Sequence, residues 1–253
     1  METCDNKDEI LELQKKFDME TYLKSCFKNH NIEISDTDLE RFRALYDCLI
    51  ETNRFMNLTS IVDPQEICVK HFLDSVLPMD LIPECKDVVD LGCGGGFPCL
   101  PLAIMRPDLR IKGLDSIHKK VEYVNETAEV IGVQHTFTAF NGRIETYGHD
   151  KYWREKFDIV VARAVAPLNT LLEYAAPFLK DGGKMILYKG SCYDDEIENA
   201  KSALKALNCK LTKIVDYEVD EYLMKRYALI ITKHGKLNKK YPRSQNKPRL
   251  DPL

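Results

Sequence analysis

Residues 88–98 read Val-Val-Asp-Leu-Gly-Cys-Gly-Gly-Gly-Phe-Pro, and their types and spacing describe a cradle for a ligand. The short apolar run ending in Asp90 reads as a buried strand. Glycines then fall at alternate positions, Gly92, Gly94 and Gly96. They let the backbone turn sharply and approach a ligand with no Cβ in the way. Pro98 suits the first turn of a following helix. Strand, glycine turn and helix together make a nucleotide-type cofactor site. A second acid, Asp115, ends the next strand-like run, Arg110-Ile111-Lys112-Gly113-Leu114. That is close to the roughly 20 residues expected between a glycine turn and a ribose-binding acid. A carboxylate there can accept both ribose hydroxyl protons, and Asp115 can also cap a helix starting near Ile117.

The cofactor is partly decidable from the glycines. A dinucleotide fingerprint requires Gly-x-Gly-x-x-Gly. Counted from Gly92 the third glycine falls on Phe97, and counted from Gly94 it falls on Cys99. Both frames miss the glycine needed for close helix–strand packing. This weighs against a nicotinamide-dependent oxidoreductase. S-adenosylmethionine carries no phosphate and needs neither feature.

The elements that must hold this loop follow from periodicity. Ile10, Leu13 and Phe17 share one helical face. Ser35-Asp36-Thr37-Asp38 opens the next helix like a capping box, with core positions Leu39, Phe42, Leu45, Tyr46, Leu49 and Ile50. Asp63-Pro64 opens a third helix, through about Leu77. Strands are then expected at 87–91, 110–114, 135–140, 157–162, 183–188, 210–217 and 226–232. Helices are expected near 98–105, 117–131, 167–179 and 193–207. Such alternation implies an α/β, Rossmann-like, doubly wound and mostly parallel seven-stranded sheet. No helix-length gap separates the last two strands, so they should form an antiparallel hairpin at the sheet edge. The chain divides into a helical extension (1–80), a cofactor-binding core (81–235) and a basic tail (236–253), integrated as one domain.

Nine cysteines without a Cys-x-x-Cys pair argue against a metal site and for reduced thiols. No signal peptide and no run of membrane-spanning length is seen, so a cytoplasmic location is expected. The net charge of −4 is unevenly spread. Residues 1–20 hold seven acids and three lysines, whereas residues 233–250 hold seven Lys or Arg and no acid. A basic end on a neutral body fits phosphate contact.

One ordered set of segments runs through most of the chain. It comprises Asn57-Leu58-Thr59, His71-Phe72-Leu73-Asp74-Ser75, the loop from Asp90 to Pro101, Asp115-Ser116 with Lys119-Lys120, and Arg143-Ile144-Glu145. Arg163-Ala164, Leu187-Tyr188-Lys189-Gly190 and Tyr241-Pro242-Arg243 complete it. This set resembles the ribosomal RNA small-subunit methyltransferase G family. The chain departs from it at Cys99, where glycine is usual, at Ala162, where serine is common, and in the residues after Arg243.

The resemblance implies a class I methyltransferase fold, S-adenosylmethionine as cofactor, and guanine N7 of 16S ribosomal RNA as target. It implies that Gly92, Gly94, Gly96, Phe97, Asp115, Ile144, Glu145 and Arg163 serve the cofactor. Arg163, at the end of the fourth strand, is suited to a methionine carboxylate or a substrate phosphate. Asn57, His71, Lys119, Lys189 and Arg243 are implied on the RNA side. His71 and Asp74 lie one helical turn apart and could be a base and its orienter or a helix-surface pair. Guanine N7 carries an in-plane lone pair and no proton at neutral pH, so no general base is expected. The partner is small-subunit ribosomal RNA or the assembling subunit, and a monomer is expected. A small-molecule methyltransferase and a non-enzymatic RNA-binding factor are the alternatives.

Overall fold

The computed structural model describes residues 12–190, 193–219, 224–244 and 246–253. The first complete helices are α1 (Met19–Asn29) and α2 (Asp36–Met56). Ser35 caps α2, its side chain accepting from the Asp38 amide. Asn57 closes α2 in the left-handed conformation, φ 45° and ψ 54°, which asparagine tolerates better than most residues. The faces read from spacing are the buried ones: Leu39, Phe42, Leu45, Tyr46, Leu49 and Ile50 all point inward.

The third helical run, α3, is not uniform. Pro64–Glu66 and Asp74–Val76 are α-helical, but Ile67–Leu73 between them is a π-helix. The Asp74 amide reaches back to Val69 O instead of Lys70 O. The Lys70 carbonyl is thereby released from the ladder, and the Arg163 guanidinium takes it at 3.0 Å. Periodicity alone predicts a plain α-helix here, because the element that claims the carbonyl lies 93 residues away.

The strands are β1 (Asp87–Leu91), β2 (Arg110–Asp115), β3 (Phe137–Asn141), β4 (Phe157–Arg163), β5 (Leu179–Lys189), β6 (Cys209–Val219) and β7 (Met224–Lys233). Their order in the single sheet is β3-β2-β1-β4-β5-β7-β6. β1 to β5 pair in parallel, and β7 runs antiparallel to both β5 and β6. This is the expected doubly wound sheet with its edge hairpin. The hairpin's connecting residues, 220–223, lie outside the described residues. The helices between strands are α4 (Cys99–Met105), α5 (His118–Val130), the short α6 (Ile144–Tyr147), α7 (Leu168–Ala175), α8 (Tyr193–Asn199), α9 (Lys201–Ala206) and the tail helix α10 (Lys247–Leu250).

Two apolar layers sandwich the sheet. On one face, residues of α1 to α5 such as Phe27, Phe42, Phe72 and Val124 cluster with Val88 and Ile111. On the other, Leu171, Phe178, Ala203 and Tyr241 cluster with Val89, Leu114 and Val160. Strand alternation sends neighbouring residues of β1 to opposite layers. Strand order reverses between β1 and β4, so the carboxyl ends of these two strands form the crevice where open α/β sheets bind ligands. No helix among the described residues is long and apolar enough to cross a membrane.

Candidate active site

The glycine loop leaves β1 at that crevice. Gly92, Gly94 and Gly96 have φ of 74°, 53° and 95°, a region that costs other residues energy. A Cβ on Gly92 would lie 2.8 Å from Val165, and one on Gly96 would lie 2.6 Å from Leu100. These two glycines let the loop sit against the β4 end and the first turn of α4. A Cβ on Gly94 would meet only Gly92 O, at 3.6 Å, so that side of the loop is open. Its amide donates to Asp115 Oδ2 at 2.9 Å, and the Ile117 amide donates to Oδ1 at 2.9 Å. Asp115 thus ties the two strand ends together. It closes an Asx-turn before α5, while the helix N-cap itself is Ile117.

Gly92, Asp115, Ile144 and Glu145 line one cleft of about 160 Å³. Val165, Tyr174, Asn246 and Arg249 stand in its wall as well. Ile144 and Glu145 form the first turn of α6, whose amides have no intrahelical acceptor. Gly94, Gly96 and Phe97 lie outside this wall. Phe97 is a core residue stacked on His71, with ring centroids 4.5 Å apart and planes at 6°.

Val165 and Arg249 also border a second, larger cavity of about 720 Å³. Arg163 stands in its floor. Its NH1 donates to Lys70 O and to Asp74 Oδ2 at 3.1 Å, and its NH2 lies 3.4 Å from His71 Nδ1. The ion pair with Asp74 is well buried. It still leaves Arg163 its Nε–H and one further NH2 proton for a ligand. Asp74 also accepts from the Tyr217 hydroxyl, at 3.1 Å to Oδ1. His71 and Asp74 therefore do not pair; Arg163 stands between them.

The same contacts fix the state of His71. A guanidinium has donors only, so Nδ1 is the acceptor and the ring proton sits on Nε2. Nε2 lies 2.8 Å from Thr59 Oγ1. Burial, with help from the Arg163 and Lys70 charges, holds the imidazole pKa down at about 3. The ring is neutral at physiological pH and neither nitrogen is open as a base.

Asp90 lies beneath the loop. It is fully buried, and neither carboxylate oxygen has a hydrogen-bond partner among the described residues. Burial pushes its pKa up to about 7, against the opposing influence of the Cys99 thiol and the Arg163 charge.

The residues expected on the RNA side are dispersed. His71 and Lys189 line the large cavity. Lys189 donates to Glu196 Oε2 at 2.5 Å. Asn57 and Lys119 are exposed, away from both cavities. Arg243 is turned inward onto fully buried Glu173, with Nε at 2.9 Å from Oε1 and NH2 at 2.8 Å from Oε2. The tail is accordingly docked. Tyr241 and Pro242 are buried, and Arg154 donates to Tyr241 O at 2.6 Å. Lys233, counted with the basic end, is also buried and pairs with Glu155 at 2.7 Å. The basic character of the end therefore rests on Lys236, Lys239, Lys240, Lys247 and Arg249, all exposed.

Tyr217, Arg226, Tyr174 and Asn246 escaped sequence reasoning, and Arg249 was read only as part of the basic end. They sit on the edge hairpin, α7 and the tail, and reach the site only through tertiary packing. Among the described residues no group of three or more His, Cys, Asp or Glu is placed to hold a metal ion.

Among solved structures, the YcgJ protein from Bacillus subtilis matches 66% of this chain and 100% of its own length, with a TM-score of 0.51 and 14% identity. The cyclase SpnF matches 68% of this chain and 84% of its own, with the same TM-score and identity. These likenesses establish the fold, and a cyclase among them shows that the fold does not dictate the reaction. Sequence relatives are more specific. The ribosomal RNA small subunit methyltransferase G of Acetivibrio thermocellus is 38% identical over 244 residues, 95% of this chain and 99% of the relative. That of Staphylococcus aureus strain RF122 is 38% identical over 234 residues, 92% and 97% of the two chains. The family model described as GidB, rRNA small subunit methyltransferase G, matches residues 38–224. With the glycine loop, Asp115 and the Arg163 cavity assembled on this sheet, the chain belongs to the rRNA small subunit methyltransferase G family.

Proposed function

We propose that the chain transfers a methyl group from S-adenosylmethionine to guanine N7 in 16S ribosomal RNA of the small subunit. The observation that carries this reading is the junction of two cavities. A cleft suited to an adenosine shares Val165 and Arg249 with a cavity bordered by Lys70, Arg163, Lys189, Arg226 and Arg249, against only Asp74 and Glu196. With Lys70 matched by Glu66 at 2.6 Å, the excess of positive charge rests on Arg226 and Arg249 and favours a polyanion. Among the described residues lining that cavity, Asp74 and Glu196 are ion-paired and both nitrogens of His71 are engaged, as N7 chemistry allows.

The residues fit the cofactor. Asp115 retains acceptor capacity for ribose hydroxyls, since each oxygen accepts one amide bond. Ile144 and Glu145 suit the adenine. The unpartnered Asp90 carboxylate suits a cationic amino group, and the spare N–H groups of Arg163 suit a carboxylate. When bound, S-adenosylmethionine supplies an electrophilic methyl group. The chain's own contribution is to orient the acceptor, exclude water and keep His71 neutral, so that catalysis rests on proximity and alignment.

In this reading residues 1–80 are a helical extension, 81–235 the methyltransferase core and 236–253 a tail that closes the cofactor cleft. The enzyme works as a monomer in the cytoplasm, without a membrane partner. Labelled S-adenosylmethionine given to small subunits from a strain lacking the enzyme should place one methyl on a guanine N7. Label on another atom, or none, overturns the reading. Sedimentation at working concentration tests the monomer.

A further inference from the structure

A groove of about 430 Å³ lies over β2 and β3, at the end of the strands remote from the cofactor loop. Its lining includes Asp87 and Arg110, the first residues of β1 and β2. Arg110 is five residues from Asp115, roughly 16 Å along an extended strand. Alternation places Lys112 on the same face as Leu114, opposite α4 and α5. Between β3 and β4 only α6 and the turns up to Lys156 are available to cover that face, which leaves it open.

The chemistry of the groove is specific. Lys112 Nζ lies 5.0 Å from the Trp153 ring centroid, 5.6 Å from Phe140 and 5.8 Å from Phe157. Three ring faces thus hold one ammonium in place while it stays exposed. Neither Lys112 nor Lys156 has a carboxylate within ion-pair distance among the described residues. Asp87, the one acid of the groove, is already matched by Arg110 at 2.7 Å and Lys180 at 3.4 Å. Tyr152, 70% exposed, presents its ring at the rim, with Lys151 Nζ over one face, 4.8 Å from the centroid. Unpaired cations beside an exposed aromatic ring match the phosphates and bases of single-stranded nucleic acid. An acidic peptide would use the cations but has no need of the ring.

We propose that this groove is a second RNA contact, taking a single-stranded segment of the substrate with phosphates on Lys112 and Lys156 and a base on Tyr152. It rests on the ribosomal RNA reading above and extends it to the far end of the sheet. The test uses the full-length protein, naked 16S ribosomal RNA and assembled small subunits. The Lys112→Gln/Lys156→Gln double variant should lower the log–log salt slope of RNA binding by about 1.4, two single-strand contacts at about 0.7 each. Tyr152→Ala should weaken binding about tenfold, the order expected for one stacked base. KM for RNA should rise with kcat and affinity for S-adenosylhomocysteine unchanged. Because Lys112 packs on the aromatic cluster, Lys156→Gln alone, at an exposed position, provides the variant that keeps the fold, with a slope change of about 0.7. Unchanged slopes and affinities overturn the proposal. Losses seen with assembled subunits but not with naked RNA also overturn it, in favour of an acidic ribosomal-protein segment. Failure of the parent reading looks different: the wild-type protein would bind RNA with its full slope yet transfer no methyl.

Discussion

His71 and Asp90, both beside the cofactor loop, are shifted in ways that leave each neutral over part of the pH range. For His71 the folded pKa of about 3 lies below the unfolded value near 6.5. Its contribution to stability is therefore lost as pH falls through that window. For Asp90 the folded pKa of about 7 lies above the unfolded value near 3.9. Its contribution is present at low pH and lost as pH rises to 7. Between about pH 4 and 6.5 the two slopes oppose each other, each at most roughly 1.4 kcal/mol per pH unit. Urea unfolding across this range should give an Asp90→Asn variant whose stability, relative to wild type, rises with pH. A constant difference would show that Asp90 is ionised in the folded protein. The same carboxyl makes cofactor affinity pH-dependent: if it meets the amino group as a carboxylate, calorimetry should show affinity rising up to about pH 7, and Asp90→Asn should lose the dependence. With saturating cofactor, single-turnover methyl transfer should be flat from about pH 6.5 to 9 in wild type and in His71→Asn. A histidine-dependent step would overturn the base-free mechanism.

Among the elements, the sheet and its hairpin were legible because periodicity and gap length are local signals. Strand starts and ends fell within a few residues of expectation, except that β5 begins at Leu179 and not near 183. The Asp90–Gly96 loop and Asp115 were legible for the same reason. What stayed hidden depends on partners far along the chain. The π-helical segment in α3 goes with the bond from Arg163 to Lys70 O, 93 residues away. The helix expected over 193–207 is split at Ala200 into α8 and α9. Arg243 looked like a phosphate ligand because nothing local marks Glu173, 70 residues earlier, as its acceptor. That pair should anchor the tail. Arg243→Ala leaves a fully buried carboxylate unmatched, and should cost roughly 3–5 kcal/mol, read as a fall in melting temperature. Adding Glu173→Gln should restore much of it, since the charge is then gone. If Arg243→Ala costs little, the carboxylate has found water and the tail is held by Tyr241 and Pro242 instead.

For the molecule as a whole, the tail decides whether the two cavities are one machine. Read from its charge alone, the basic end is a phosphate contact, and its removal should weaken RNA binding. The packing adds a second role. Asn246 and Arg249 stand in the wall of the cleft that Gly92, Asp115 and Glu145 also line, and Arg249 borders the larger cavity as well. Tyr174 is linked to Asn246, 3.5 Å from its Oδ1, and Thr170 donates to Pro248 O at 3.0 Å, so α7 carries the tail helix. Deleting residues from Lys239 onward opens the cleft on one side and removes five basic residues. Four of these, Lys239, Lys240, Lys247 and Arg249, are exposed and available to phosphate. Arg243 is already neutralised by Glu173 and should contribute nothing to the salt slope. The deletion should therefore lower the slope by at most about 2.8–3.6, four contacts at about 0.7–0.9 each, and should weaken S-adenosylhomocysteine as well. An Arg249→Gln variant, which keeps the tail docked through Arg243 and Tyr241, separates the two effects. It should reduce the slope by a single contact while retaining most of the cofactor affinity. Calorimetry showing full cofactor affinity after the deletion would mean that the tail merely packs beside the cleft, and would leave it only the phosphate contact that its charge implies.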